Sequence, residues 1–338
     1  MSDVSSGASV GEGHPGFGRM FGEGRLTVGL FLPLRQYAGD MEVLKGALEV
    51  VKQADASPFA AVWARDVPLF DPGFGDAGQV FDLWTYLAWL AAHTKHLALA
   101  AGSAIFTLRH PIDLAKQATT IDQLSGGRLV LGAASGDRAS EFPAYGIDHL
   151  TRGERYRDAV EWFRELTEVT RPAISSGLGH LGGGVDLLPK PAFGRVPLVV
   201  TGSSQQKTEW IASNADGWLV YPGSVYGEGP KALGAKAAAW RELIPGGAFK
   251  PVATNEWIEL VEDRHHKPTP LRGGFVMRTG TDGLLELLGR WQDAGINHAA
   301  LGVQHGRRPP AEAVAQLIEE VAPHFPALAG PEPKELKW

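Results

Sequence analysis

From Arg25 onward, short apolar runs with strand character alternate eight times with longer segments whose apolar residues recur at helical spacing. The strand-like runs cover 26–32, 59–63, 96–102, 128–134, 196–200, 217–220, 252–261 and 298–303. The helical segments between and after them are 40–54, 81–92, 111–124, one opening at Thr151, then 205–215, 230–243, 281–294 and 311–321. In the first of these, Val43, Leu44, Ala47, Val50, Val51 and Ala54 share a face. Pro111 suits a first helical turn, where a missing N–H costs nothing, and Ser125-Gly126-Gly127 stops that helix. Thr151 and Glu154, three apart, read as a capping box.

Eight strand-then-helix units in order are the count of a closed barrel. The expected fold is therefore α/β, a single (β/α)8 TIM barrel over 25–330. Two Gly/Pro-rich insertions interrupt it, one after unit four at 171–195 and one ahead of helix seven at 263–274. A doubly wound sheet carries fewer units and a Gly-rich first turn, whereas the first turn here is Pro33-Leu34-Arg35. Residues 1–24 are rich in Gly and Ser and poor in apolar side chains, so a flexible tail is expected there. A short C-terminal tail is expected at 331–338.

With no Cys in 338 residues, disulfides, thiolate metal sites and Cys nucleophiles are excluded, so any redox power must come from a bound organic group. The net charge is −6 and no basic stripe occurs, which argues against a nucleic-acid partner. No apolar run approaches the roughly 20 residues that cross a bilayer, and the N-terminus lacks a signal-peptide pattern. A soluble cytoplasmic protein without a membrane partner is expected.

In such a barrel, chemistry sits at the C-terminal ends of the strands. Thr201-Gly202-Ser203-Ser204 follows a strand and is expected to open a helix, where free N–H groups, two hydroxyls and a glycine make a phosphate seat. A plain N-cap at Ser203 or Ser204 is the competing reading. Ser135-Gly136-Asp137 leaves strand four with room for a flat ligand, and Ala101-Gly102-Ser103-Ala104 ends strand three in small residues that admit a ring close to backbone. Arg65-Asp66 and Arg109-His110 place charge at the mouth, although Arg65 and Asp66 could pair with each other and His110 could cap a helix. His265-His266 lacks a carboxylate at metal-ligand spacing, so no metal site is expected. Trp63, at a strand end, is a candidate pocket wall.

Arg109-His110-Pro111, Ala115-Lys116 and the run from Ile121 through Ser125-Gly126-Gly127-Arg128 to Gly132 closely resemble the bacterial-luciferase-like monooxygenase family. Ser135-Gly136, Glu141-Phe142, Gly146, Arg155-Tyr156, Gly202-Ser203-Ser204, Glu209-Trp210 and Ala215-Asp216-Gly217 continue the resemblance in order. The resemblance implies a TIM barrel that binds reduced flavin mononucleotide (FMN) and uses O2 to oxygenate a small organic substrate. It implies phosphate contacts at Gly202, Ser203 and Ser204, a second wall at Ser135, Gly136 and Asp137, and a non-prolyl cis peptide at Gly102-Ser103 beneath the flavin ring. A separate flavin reductase and a homo-oligomer are expected as partners. Arg65, Asp66 and Arg109 are the expected catalytic groups. Bacterial luciferase and the deazaflavin (F420) branch carry a His after strand two, where this chain reads Ala64-Arg65-Asp66-Val67-Pro68. Asp66 matches the acidic residue of the F420 branch and Val67 stands where its His would be, which favours FMN over F420. An F420-dependent dehydrogenase and a non-catalytic flavin-binding protein are the alternatives.

Overall fold

Alternation along the strands separates two apolar layers. In the computed structural model, which describes residues 13–35, 46–74 and 80–335, Val28, Leu30, Val62, Leu99 and Leu131 pack outward beneath the helices. Phe31, Ala61, Trp63, Ala98, Ala100 and Val130 turn inward and fill the barrel. Eight parallel strands carry these faces: β1 (Thr27–Phe31), β2 (Ala61–Ala64), β3 (Ala98–Ala101), β4 (Leu129–Ala134), β5 (Leu198–Thr201), β6 (Gly217–Leu219), β7 (Val252–Leu260) and β8 (His298–Gly302). Neighbours pair in sequence order, and Thr27 opposite His298 closes the ring between β1 and β8. The helices are α1 (Ala47–Asp55), α2 (Leu83–His93), α3 (Pro111–Leu124), α4 (Arg152–Glu168), α5 (Thr208–Asn214), α6 (Gly229–Glu242), α7 (Thr281–Asp293) and α8 (Pro310–Gln316). The expected start of the first helix, at 40–45, lies outside the described residues.

The expected N-terminal tail is corrected over its described part. Pro15–Met20 forms a helix in which His14 accepts from the Phe17 N–H, and Phe17, Met20 and Phe21 are buried against the inner layer. These three large apolar side chains in an otherwise polar stretch stopper the N-terminal end of the barrel. The stopper is tied in by Thr27, whose Oγ1 donates to the Met20 carbonyl at 2.6 Å. Since Oγ1 spends its proton there, it accepts from His298 Nδ1 at 2.6 Å, leaving His298 Nε2 to accept from Trp63 Nε1 at 2.9 Å. Burial draws the His298 pKa down to about 3, so the ring is neutral. The described part of the expected C-terminal tail is also held: the Lys334 N–H donates to the Gly126 carbonyl at 2.9 Å.

Arg128 is buried, and burial draws its pKa down to about 10. Its guanidinium donates to the carbonyls of Ala91, Thr94, Leu97 and Ser125 and to Thr94 Oγ1, closing the C-terminal end of α2. Asp122 Oδ2 accepts from the Ala192 N–H at 2.7 Å. Two charged residues of the most distinctive sequence run thus hold connections rather than face the mouth.

The insertion at 171–195 contains an antiparallel hairpin, Ala173–Ser176 with Gly179–Gly182. The one at 263–274 leads into a second pair, Thr269–Leu271 antiparallel to Val276–Thr279. Val276–Thr279 continues beside the last three residues of β7, Ile258 to Leu260, so the pair stands on the barrel rim. The capping box is not formed. Thr151 makes no side-chain bond into α4, and its hydroxyl donates to the Asp148 carbonyl instead. Thr151→Ala is accordingly expected to cost well under the ~1 kcal/mol typical of a lost N-cap, as read from thermal unfolding.

Candidate active site

Two adjoining cavities open where the strands end. The larger, about 610 Å³, has aromatic walls including Phe31, Trp257 and Phe275. The smaller, about 270 Å³, is lined by Ser135, Gly136, Arg138, Arg152 and the turn Gly202 to Gln205. Arg65, Gly102, Ser103, Asp137, Thr201 and Tyr221 border both. All eight expected cofactor-binding residues, Gly102, Ser103, Ser135, Gly136, Asp137, Gly202, Ser203 and Ser204, therefore meet in one place.

The polar pocket departs from expectation in how it is built. No helix opens at 205; α5 starts at Thr208, with Lys207 as its cap. Gly202, Ser204 and Gln205 instead adopt left-handed backbone, with φ of 56°, 43° and 62°. Such turns direct backbone N–H groups into a concavity that receives anions, and two non-glycine residues in this region mark strain held by the surroundings. The N-cap reading of Ser203 and Ser204 is displaced as well: Ser204 Oγ donates to the Thr201 carbonyl at 2.8 Å, and Ser203 Oγ accepts from the Gln205 N–H at 3.3 Å. A side chain at Gly202 would meet nothing nearer than Tyr221, at 3.8 Å, so its surface is open. Arg152 donates through one terminal nitrogen to the His149 carbonyl at 2.8 Å, while its buried Nε has no hydrogen-bond partner among the described residues. An open turn beside an unsatisfied guanidinium N–H fits a phosphate group.

Of the expected catalytic residues, Arg65 lines the cavities, with its guanidinium 5.4 Å from the Trp257 ring centre and 5.8 Å from that of Phe31. Asp66 does not pair with Arg65 in the way the sequence allowed. It forms a two-pronged ion pair with Arg109, at 2.5 and 2.8 Å, and accepts from the Ile105 N–H at 2.9 Å. Arg109 lines neither cavity. His110 caps α3 by accepting from the Ile112 N–H at 3.2 Å.

The Gly102-Ser103 peptide is cis, and Ser103 Oγ is hydrogen-bonded to Thr201 Oγ1. The missing side chain of Gly102 serves a purpose other than ligand access: a Cβ there would lie 2.5 Å from Phe31 and 3.0 Å from Trp63. Trp63 itself is fully buried below the mouth and is absent from the cavity lining.

Sequence reasoning missed the β7 wall, Asn255, Glu256 and Trp257, because it looked for the mouth beyond the end of the expected strand 252–261. β7 overshoots the barrel: Trp257 is level with Gly302, the last residue of β8, and the next three residues pair with the rim hairpin. The nine-residue length of β7 beside strands of three to six was the available signal. Glu256 is 5% exposed, and burial pushes its carboxyl up to about 8, partly relieved by the Trp257 N–H. It is therefore a neutral acid at pH 7.

Among the described residues, no helix is long and apolar enough to cross a membrane. In comparisons with known proteins, the family model for luciferase-like monooxygenases matches residues 26–258. An uncharacterised protein of Mycobacterium tuberculosis is 30% identical over 204 residues, covering 56% of this chain and 72% of that one. The FMNH2-dependent dimethylsulfone monooxygenase of Pseudomonas putida is 34% identical over 176 residues, 50% of this chain and 48% of its own. A putative coenzyme F420-dependent oxidoreductase of M. tuberculosis is 28% identical over 165 residues, 44% and 46% of the two chains. Among solved structures, the monooxygenase RslO1 of Streptomyces bottropensis superposes with a TM-score of 0.73 at 19% identity, covering 89% of this chain and 99% of that one. With the family model spanning more than half of its length, the chain belongs to the luciferase-like monooxygenase family.

Proposed function

We propose that this protein is an FMN-dependent monooxygenase that oxygenates a small organic substrate with O2 and receives its reduced flavin from a separate reductase. The observation carrying this reading is the junction of a polar, arginine-bearing pocket with an aromatic-walled cavity, the two-part shape of a phosphorylated flat ring. Reduced FMN, when bound, supplies the electrons that activate dioxygen. Arg152, Ser203 and the left-handed turn hold the phosphate. Arg65, seated on Phe31 and Trp257, orients the ring edge, and the aromatic walls exclude water. Asp66 and Arg109 are positioning residues: together they fix the Ile105 N–H and with it the segment that follows Gly102-Ser103. The absence of a His at Val67 favours FMN over F420.

Calorimetric titration with FMN, riboflavin and F420 tests the assignment. FMN is expected to bind about tenfold or more tighter than riboflavin, since a guanidinium–phosphate bond is worth roughly 1.5–3 kcal/mol. Arg152→Gln should cut that preference and leave riboflavin binding unchanged. Binding of F420 without FMN would replace this reading by a hydride-transferring dehydrogenase.

A further inference from the structure

The part of the large cavity's wall that the polar pocket does not share has a chemistry of its own. Phe31 and Trp257 lie with ring centres 5.0 Å apart, and Trp257 and Phe275 with theirs 6.2 Å apart. Phe275 remains 42% exposed although it sits in this aromatic group, so its face is open at the mouth. Arg272 comes from the turn of the rim hairpin and donates to His305 Nδ1 at 3.1 Å. His305 in turn stands edge-on to Trp257 and Phe275, at 5.8 and 5.6 Å. Arg272 is therefore anchored beside the rings, and it occupies left-handed backbone, φ 49°, ahead of two glycines. A long charged residue kept in that conformation points to a use for its side chain.

The charges on this cavity favour an anion. Its lining holds two guanidiniums, Arg65 and Arg272, and two carboxyls, Asp137 and Glu256. Arg65 and Asp137 both lie on the border shared with the polar pocket, which leaves Arg272 and Glu256 on the unshared wall, where burial raises the Glu256 carboxyl to about 8. Arg272 and Phe275 also lie beyond residues 26–258, outside the part of the chain that the family model describes.

We infer that the wall is a substrate subsite for a flat organic anion, an aromatic carboxylate or sulfonate whose ring lies against Trp257 and Phe275 and whose anionic group is held by Arg272. The inference rests on the flavin reading in taking the part of the cavity that adjoins the polar pocket for the cofactor. The two can fail separately.

The test is calorimetric titration of the FMN-loaded and flavin-free protein with three probes: 2-naphthoate, its neutral amide 2-naphthamide, and octanoate. Naphthoate is expected to bind about tenfold tighter than naphthamide, the loss typical of a charge-assisted hydrogen bond at a half-open site, and tighter than the non-aromatic octanoate. Arg272→Gln should remove the preference for naphthoate over its amide, Arg272→Lys should restore part of it, and Phe275→Ala should weaken both aromatic probes alike. FMN affinity should be the same in Arg272→Gln as in the parent. Arg272 is exposed at the rim, so these variants fold. Equal affinity for naphthoate and naphthamide, or a preference that survives Arg272→Gln, would overturn the inference. Discrimination through Arg272 in a protein that fails to bind FMN would uphold the subsite and remove the flavin reading. Failure of naphthoate in a protein that binds FMN would do the reverse.

Discussion

Glu256→Gln is expected to make the protein more stable than the parent above pH 8, and less sensitive to pH between 5 and 9. The carboxyl is buried in β7, and its pKa rises from 4.5 to about 8 because the ionised form loses its water. In the unfolded chain the proton leaves near pH 4.5, whereas the folded chain keeps it until about 8. Between those values the unfolded state binds fewer protons, so stability is fully present below about pH 4.5 and is lost as pH rises through about 8. The whole loss is on the order of 5 kcal/mol. Glutamine keeps the shape and cannot ionise, so that slope should vanish. Chemical denaturation at pH 5, 7 and 9 reads the difference directly. Parallel pH profiles for the two proteins would show that Glu256 ionises normally in the fold.

Gly132→Ala is expected to have a large effect at every pH. A Cβ on Gly132 would stand 2.0 Å from the Ala101 carbonyl oxygen and 3.1 Å from Ser103 Oγ. The first neighbour is backbone of the adjacent strand, so β3 and β4 must part just below the cavity floor. A loss beyond ~3 kcal/mol, or no folded protein, is expected, in the upper tail of point-mutant effects. FMN binding should fall with it, because Ser103 borders both cavities. Gly289→Ala is the matched control. Gly289 lies in α7 with nothing within 4 Å of its Cβ position. That change should stabilise by roughly 0.5–1 kcal/mol through helix propensity alone. Denaturant midpoints of the two variants moving in the same direction would contradict the packing account.

Where the chain's own periodicity and punctuation decide an element, the sequence was a good guide. Pro111 and Ser125 bound α3 at the expected residues, and the eight strand-then-helix units close the ring as counted. Asp122 and Arg128 made the family legible, yet both bind backbone far from the mouth. Their distinctiveness reflects how many carbonyls and N–H groups they satisfy at once. The misreadings arose where distant segments decide the outcome. Pro15–Met20 has no helical signal sufficient on its own, and is fixed by the open barrel end that Phe17 and Met20 fill. The 202–205 turn looked like a helix start, since left-handed backbone at Ser204 and Gln205 is imposed from outside. One such contact is Gln206 Nε2, which donates to the Gly153 carbonyl at 2.8 Å. Arg272 sits in what reads as a Gly/Pro-rich insertion and Phe275 directly after it, and only pairing of Val276–Thr279 with β7 brings them over the mouth.

One flavin molecule is expected to place its phosphate in the polar pocket and its ring in the aromatic cavity. A crystal structure of the protein soaked with FMN tests it most directly. The phosphate is expected within hydrogen-bond distance of Arg152 and the backbone N–H groups of the 202–205 turn, with the ring over Gly102-Ser103 and beside Arg65. FMN density elsewhere, or a ring in the cavity with its phosphate directed away from Arg152, would contradict the account.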